Sequence, residues 1–138
     1  MDTNRITVST TVNVPVEKAW EAWSSPEAIM EWCSASPDWH VPAAQNDLRD
    51  GGKFSTTMAA KDGSMQFDFE GVYSKVEPNK SISYSMSDGR KVDITFEEVD
   101  GKTEIIETFD PENQNPIEMQ REGWQAIMDN FKSYVEKQ

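Results

Sequence analysis

Apolar and polar residues alternate from Arg5 to Val14. Ile6, Val8, Val12 and Val14 share one parity with Thr10, and Thr7, Ser9, Thr11 and Asn13 share the other. A period of two with one apolar side predicts a half-buried strand. Pro15 ends it and pre-sets the start of a helix. From Val16 to Trp23 the spacing turns helical, with Val16, Ala19, Trp20 and Trp23 at i, i+3, i+4 and i+7. A second short helix follows, with Ser25 as its N-cap, Pro26 in its first turn, and Ile29, Met30 and Trp32 as its apolar residues.

From Pro37 to about Phe109 the pattern is of strands divided by turns. Asp50-Gly51-Gly52 precedes Lys53 to Ala60, and Lys61-Asp62-Gly63-Ser64 precedes Met65 to Val76. In the latter run Met65, Phe67, Phe69, Gly71 and Tyr73 share a parity while Val72 and Val76 take the other, which predicts a bulge or sharp twist near Gly71. Pro78-Asn79 leads into Ser81 to Met86, with Ile82, Tyr84 and Met86 on one face. After Asp88-Gly89, Val92, Ile94 and Phe96 alternate, and Asp100-Gly101 leads into Thr103 to Phe109. Short turns between such strands predict an antiparallel meander with one dry and one wet face.

The last stretch reads as a long helix, with Asn115 as cap, Pro116 first in the helix and Glu118 completing a capping box. Met119, Trp124, Ile127, Met128, Phe131 and Val135 form an apolar stripe; Arg121, Gln125, Asp129 and Lys132 face away. Such a stripe must be buried, and the meander offers the only large apolar face. The expected fold is α+β: a curved antiparallel sheet of about six or seven strands against a long C-terminal helix, with two short helices after the first strand.

Length and charge narrow the function. The 138 residues suit one domain, 1–138, long enough to bury a sizeable core. Thirteen basic against 25 acidic residues give a net charge of −12, which argues against nucleic acid and against an anionic membrane surface as partners. Cys33 is the sole cysteine, so no internal disulfide and no cysteine-cluster zinc site is expected. No apolar run is long enough to span a bilayer, and the first residues lack a secretory signal's apolar core, so a cytoplasmic protein is expected. Only Leu48 represents leucine, against seven Met, five Trp and six Phe. Bulky aromatics and adaptable thioethers are side chains that can line a cavity.

Several segments in order carry a family resemblance over nearly the whole chain. They are Asn13-Val-Pro-Val-Glu-Lys-Ala-Trp20, Ser25-Pro-Glu through Trp32, Arg49-Asp-Gly-Gly-Lys-Phe54 and Phe69-Glu-Gly71. Tyr73 to Pro78, Val92 to Glu97, Thr103 to Thr108 and Gly123-Trp124 with the helix to Tyr134 complete the set. Together they resemble the heat-shock-protein-90 ATPase activator homologue family, within the START-like (SRPBCC, birch-pollen-allergen-like) superfamily and its helix-grip fold. The resemblance implies a deep cavity between the concave sheet and the long helix. Superfamily members include lipid and hormone carriers, aromatic polyketide cyclases and stress-response co-chaperone domains. In the eukaryotic co-chaperone the related domain is one of two, and nothing here corresponds to the other.

On that fold the strands would contribute Phe54, Met58, Phe67, Phe69, Tyr84, Met86 and Phe96 to the cavity. The long helix would add Trp124, Met128 and Phe131, and the second short helix Trp32. Tyr84 and Thr56 would be the polar handles. Trp39 and His40 would stand at the rim, and the two short helices with a Cys33–Gln45 loop would gate access. A Cys33–His40 pair lacks any protease signature, and no catalytic residue, metal site or cofactor is assigned. Asp68 and Glu70 fall on the solvent parity, and Glu97, Glu98 and Asp100 lie beside a turn. Glu104 and Glu107 have opposite parities, so one of them can point inward, where burial would raise its pKa and fit it to act as a general acid. Asp110-Pro-Glu-Asn-Gln-Asn lacks the spacing and glycine of a calcium loop, and no phosphate-cradling glycine loop is present. The expected function is binding of a hydrophobic or amphipathic small molecule by a monomer or homodimer. The alternatives are a co-chaperone-like interaction module with a chaperone partner, and a cyclase or hydrolase acting on an aromatic polyketide-like substrate.

Overall fold

The structure is a computed structural model that describes residues 5–33, 38–86, 89–112 and 116–137. Its elements run β1 (Ile6–Val12), α1 (Val16–Ser24), α2 (Pro26–Trp32), β2 (Trp39–Asn46), β3 (Lys53–Ala60), β4 (Gln66–Glu77), β5 (Ser81–Met86), β6 (Lys91–Val99), β7 (Lys102–Phe109) and α3 (Ile117–Glu136). One seven-stranded antiparallel sheet holds every strand of the described residues in the order β1-β7-β6-β5-β4-β3-β2. The curved sheet, the C-terminal helix and the two short helices after β1 form the α+β helix-grip architecture expected from the sequence.

Sequence pattern becomes packing most directly in β6 and β7. Val92, Ile94 and Phe96 alternate with exposed residues in β6, and Thr103, Ile105, Glu107 and Phe109 are the buried positions of β7, so both strands turn one row to the concave side. Helix α3 covers the β1 end of that side. Phe131, Val135 and Met128 are almost fully buried there with Ile6, Val8 and Val12. Polar contacts fasten the helix to β1 and the residue after it: Lys132 Nζ donates to the Thr11 carbonyl at 2.7 Å, Gln125 Nε2 to that of Ser9 at 3.1 Å, and the Asn13 amide to Glu136 Oε2 at 2.8 Å. The two short helices follow their signals. Ser25 Oγ accepts from the Ala28 amide with Pro26 in the first turn, and the buried Trp32 indole donates to the Ala22 carbonyl at 3.0 Å.

Several expectations are corrected. The stretch read as a gating loop from Cys33 to Gln45 contains β2, paired with β3 from Trp39 to Asn46; residues 34–37 lie outside the described residues. The strand tolerates Pro42 because it is the sheet's edge and its register shifts between His40 and Ala43, where no ladder hydrogen bond is required. The irregularity expected near Gly71 falls between Tyr73 and Lys75, and it turns Val76 to the same side as Tyr73. Gly71 serves a different purpose: a Cβ there would lie 2.6 Å from the Phe54 ring, so only glycine lets that ring lie across β4. Met30, Met65 and Met119 are exposed, and Gln120 takes the buried place on α3 that the stripe assigned to Met119. Pro116 occupies the N-cap position of α3, not the first helical one, and among the described residues no side chain caps it; the Asn115 cap lies outside them.

Candidate functional site

Between α2, α3 and the β3–β7 part of the sheet lies a cavity of about 390 Å³. Phe54, Met58, Phe67, Phe69 and Tyr84 line it from the sheet, Trp124 and Met128 from α3, and Trp32 from α2. Met86, Phe96 and Phe131 do not. Phe131 is fully buried between Trp23 and Trp32, with ring centroids 4.9 and 5.0 Å away, and Phe96 packs edge-on against Trp20 and Trp23. Met86 is buried and lines, with Phe54 and Gly71, a second pocket of about 560 Å³. These three belong to the packed core behind the cavity wall.

The walls are held by ring-on-ring contacts. Phe54 meets Tyr84 edge-on at 4.7 Å and Tyr73 at 5.3 Å, an arrangement that aromatic quadrupoles favour. Trp124 stacks on Phe109 at 3.7 Å and turns its edge toward Phe69 at 6.2 Å, spanning the gap between the helix and β4. Gln120 clamps the other helix end: its Nε2 donates to the Glu112 carbonyl at 3.0 Å and its Oε1 accepts from the Glu112 amide at 2.9 Å. Phe67 lines the cavity while 47% exposed, so it stands at the opening. Trp39 packs against its outer side at 5.9 Å without lining the cavity, and His40 is exposed and does not line it either.

Polar groups also reach the cavity. Glu107 is the inward acid of β7 and Glu104 the outward one. Burial alone pushes the Glu107 carboxyl up to about 8, so it is mostly a neutral acid at neutral pH. Burial, with the Glu107 charge second, holds the Tyr84 phenol well above its ordinary value and raises the Cys33 thiol to about 12. Cys33 is therefore a thiol, and with His40 outside the cavity the two make no nucleophilic pair. Thr56 lines the cavity as a buried hydroxyl. The Tyr73 hydroxyl donates to Asn46 Oδ1, and Asn46 Nδ2 donates to the Ser24 carbonyl at 2.7 Å, tying β4 through β2 to the end of α1. Among the described residues no group of His, Cys, Asp or Glu is arranged to hold a metal ion, and no helix is long and apolar enough to cross a membrane.

The sequence reading did not select Trp23, Ile29, Tyr73, Ile82, Ile94, Asn46, Arg90, Gln120 or Ile127, all of which contribute to the wall. Tyr73, Ile82 and Ile94 share parity with selected neighbours, so periodicity alone would have included them. Asn46 needed β2, and Gln120 a helix phase set by Trp124 and Met128 rather than by Met119.

No curated protein matches the chain. Solved structures do. An AHSA1-like protein from Aeromonas hydrophila is 44% identical, with a TM-score of 0.90 over 96% of this chain and 92% of that one. A protein from Cytophaga hutchinsonii is 59% identical, with a TM-score of 0.85 over 97% and 93%. One from Chromobacterium violaceum shares the fold at 20% identity, with a TM-score of 0.87 over 96% and 98%. The family described as "Activator of Hsp90 ATPase homolog 1-like protein" matches residues 13–136, from the end of β1 to the end of α3. With the helix-grip architecture and two close structural relatives beside that match, the chain belongs to the Activator of Hsp90 ATPase homolog 1-like family.

Proposed function

We propose that the protein binds a hydrophobic or amphipathic small molecule in the cavity beneath α3. The observation that carries this reading is the cavity itself. Close-packed interiors leave few voids larger than a water, whereas about 390 Å³ lined by aromatic and Met side chains is the size and chemistry of a ligand pocket. Removing apolar ligand surface from water would supply about 25 cal/mol per Å², less the cost of ordering the ligand. The continuous sheet supports treating residues 1–138 as one ligand-binding domain. A lone cysteine kept as thiol suits a cytoplasmic location.

A second reading, a cyclase or hydrolase acting on an aromatic polyketide-like substrate, is favoured by one observation: Glu107 and Tyr84, a buried acid and a polar handle, line the same cavity. Turnover of a bound ligand, followed by mass spectrometry, separates it from simple carriage. The interaction-module reading expected a packed interior and draws no support from the cavity.

The test is a thermal-shift screen against fatty acids, sterols, flavonoids and aromatic polyketides. A ligand at about 100 times its Kd stabilises the native state by roughly 2.7 kcal/mol, several degrees in Tm. The expected result is a hit that is lost in Phe69→Asp, which places a charge on the cavity wall. Silence across the panel contradicts the proposal.

A further inference from the structure

Glu107 occupies the middle of the concave face. It pairs with Val8 on β1 and Ile94 on β6, and its same-face neighbours along β7 are Ile105 and Phe109. All four are buried and apolar. Glu107 is itself only 6% exposed. Among the described residues no group is hydrogen-bonded to its carboxyl. Because no fully occluded side-chain polar atom there lacks a partner, the carboxyl oxygens open into the cavity. An isolated buried acid is costly to keep ionised and wasteful to keep unbonded.

We propose that Glu107 anchors the ligand as a hydrogen-bond donor, its carboxylic acid meeting a carbonyl-type oxygen on an uncharged, largely aromatic molecule, with the Tyr84 hydroxyl as the second donor. This rests on the cavity being the ligand site. The groups around Glu107 fit the assignment. Cys33 at the end of α2, Tyr84 on β5 and Tyr73 on β4 are protonated at neutral pH, and Thr56 on β3 adds a hydroxyl. The α3 residues facing the cavity, Gln120, Trp124, Ile127 and Met128, carry no charge, and neither does Trp23 from α1. Arg90, before β6, acts on Tyr84, and burial is the sole cause of the Glu107 shift. Glu112, after β7, is engaged with Gln120. The polar lining around Glu107 is thus neutral; Tyr73 spends its hydrogen on Asn46, and Tyr84, Thr56 and the weaker Cys33 thiol are the donors facing an acceptor oxygen. A cationic amine would need Glu107 ionised, and the cavity's cation, Arg90, acts on Tyr84 and not on Glu107, so an anionic headgroup beside Glu107 would not be drawn there by it.

Calorimetric titration of the wild type and Glu107→Gln with three matched probes decides it: acetylnaphthalene, ethylnaphthalene and naphthylethylamine. In the wild type near pH 7 the ketone is expected to bind roughly tenfold more tightly than the hydrocarbon, the worth of about one good hydrogen bond. Between about pH 7 and about pH 9 its affinity is expected to fall roughly fivefold, toward that of the hydrocarbon, as Glu107 loses its proton. Glu107→Gln keeps an N–H donor and cannot ionise, so it is expected to hold the ketone equally at both pH values. Tighter binding of the amine, equal binding of ketone and hydrocarbon, or a pH loss that persists in Glu107→Gln overturns the assignment while leaving the cavity reading intact. Failure of all three probes, the hydrocarbon included, overturns both.

Discussion

Phe131→Ala is expected to cost about 3–5 kcal/mol, a large share of the stability of a domain this size. The ring is fully buried and sits edge-on to both Trp23 and Trp32, so it joins α3 to α1 and α2 at one point. Truncation removes the transfer energy of the ring and leaves a void that its two aromatic neighbours cannot easily close. Trp23 and Trp32 also line the cavity, so the void would open toward it and loosen the wall. Phe131→Leu keeps most of the volume and is expected to cost about 1–2 kcal/mol. Urea unfolding of both variants checks the pair. A cost below about 1 kcal/mol for the alanine change would show that α3 is not held at this point.

Glu107→Gln is expected to stabilise the protein at alkaline pH by about 3–5 kcal/mol and to leave it almost unchanged in acid. The sign follows from the proton. In the unfolded chain Glu107 titrates near 4.5, and in the fold near 8. Between those values the native state binds the proton and the unfolded state does not, so each unit of rising pH lowers native stability. Below about 4.5 both states are protonated and the group costs little; above about 8 both are ionised and the full penalty of a buried charge is present. Glutamine has the same shape and no charge, so the difference between the two proteins isolates this group from the other 24 acidic residues. Unfolding free energies at several pH values should give curves that converge in acid and part through the neutral range. Parallel curves would mean that Glu107 is solvated in the native state.

The strands were legible where period and turn chemistry agreed. Lys53–Ala60 and Ser81–Met86 are set off by glycine or Pro-Asn turns, the second alternates cleanly, and both form with those bounds. β2 was hidden because Val41-Pro42-Ala43-Ala44 carries a proline and few β-branched residues, and only an edge position with a shifted register makes such a strand possible. On α3, Met119 looked apolar enough for the buried stripe, but the helix phase is set by Trp124, Met128 and Phe131, which put Gln120 inward. Parity also told Glu104 from Glu107 without saying which faced inward, since that depends on β7 pairing with β6 and β1. Parity finds a face and not a depth. Phe96 and Phe69 both point to the concave side, yet α1 lies over the first with Trp20 and Trp23, and the second is left facing open space.

Methionine methyl groups offer the most direct test that the cavity is the binding site. Met58 and Met128 line it, whereas Met30, Met65 and Met119 are exposed outside it. In a protein labelled at the methionine methyls, titration with a ligand found by thermal shift is followed by NMR. Saturable shifts of Met58 and Met128, with Met30, Met65 and Met119 unmoved, are the predicted result. Shifts confined to the exposed methionines, with Met58 and Met128 still, would place binding on the surface and contradict the account.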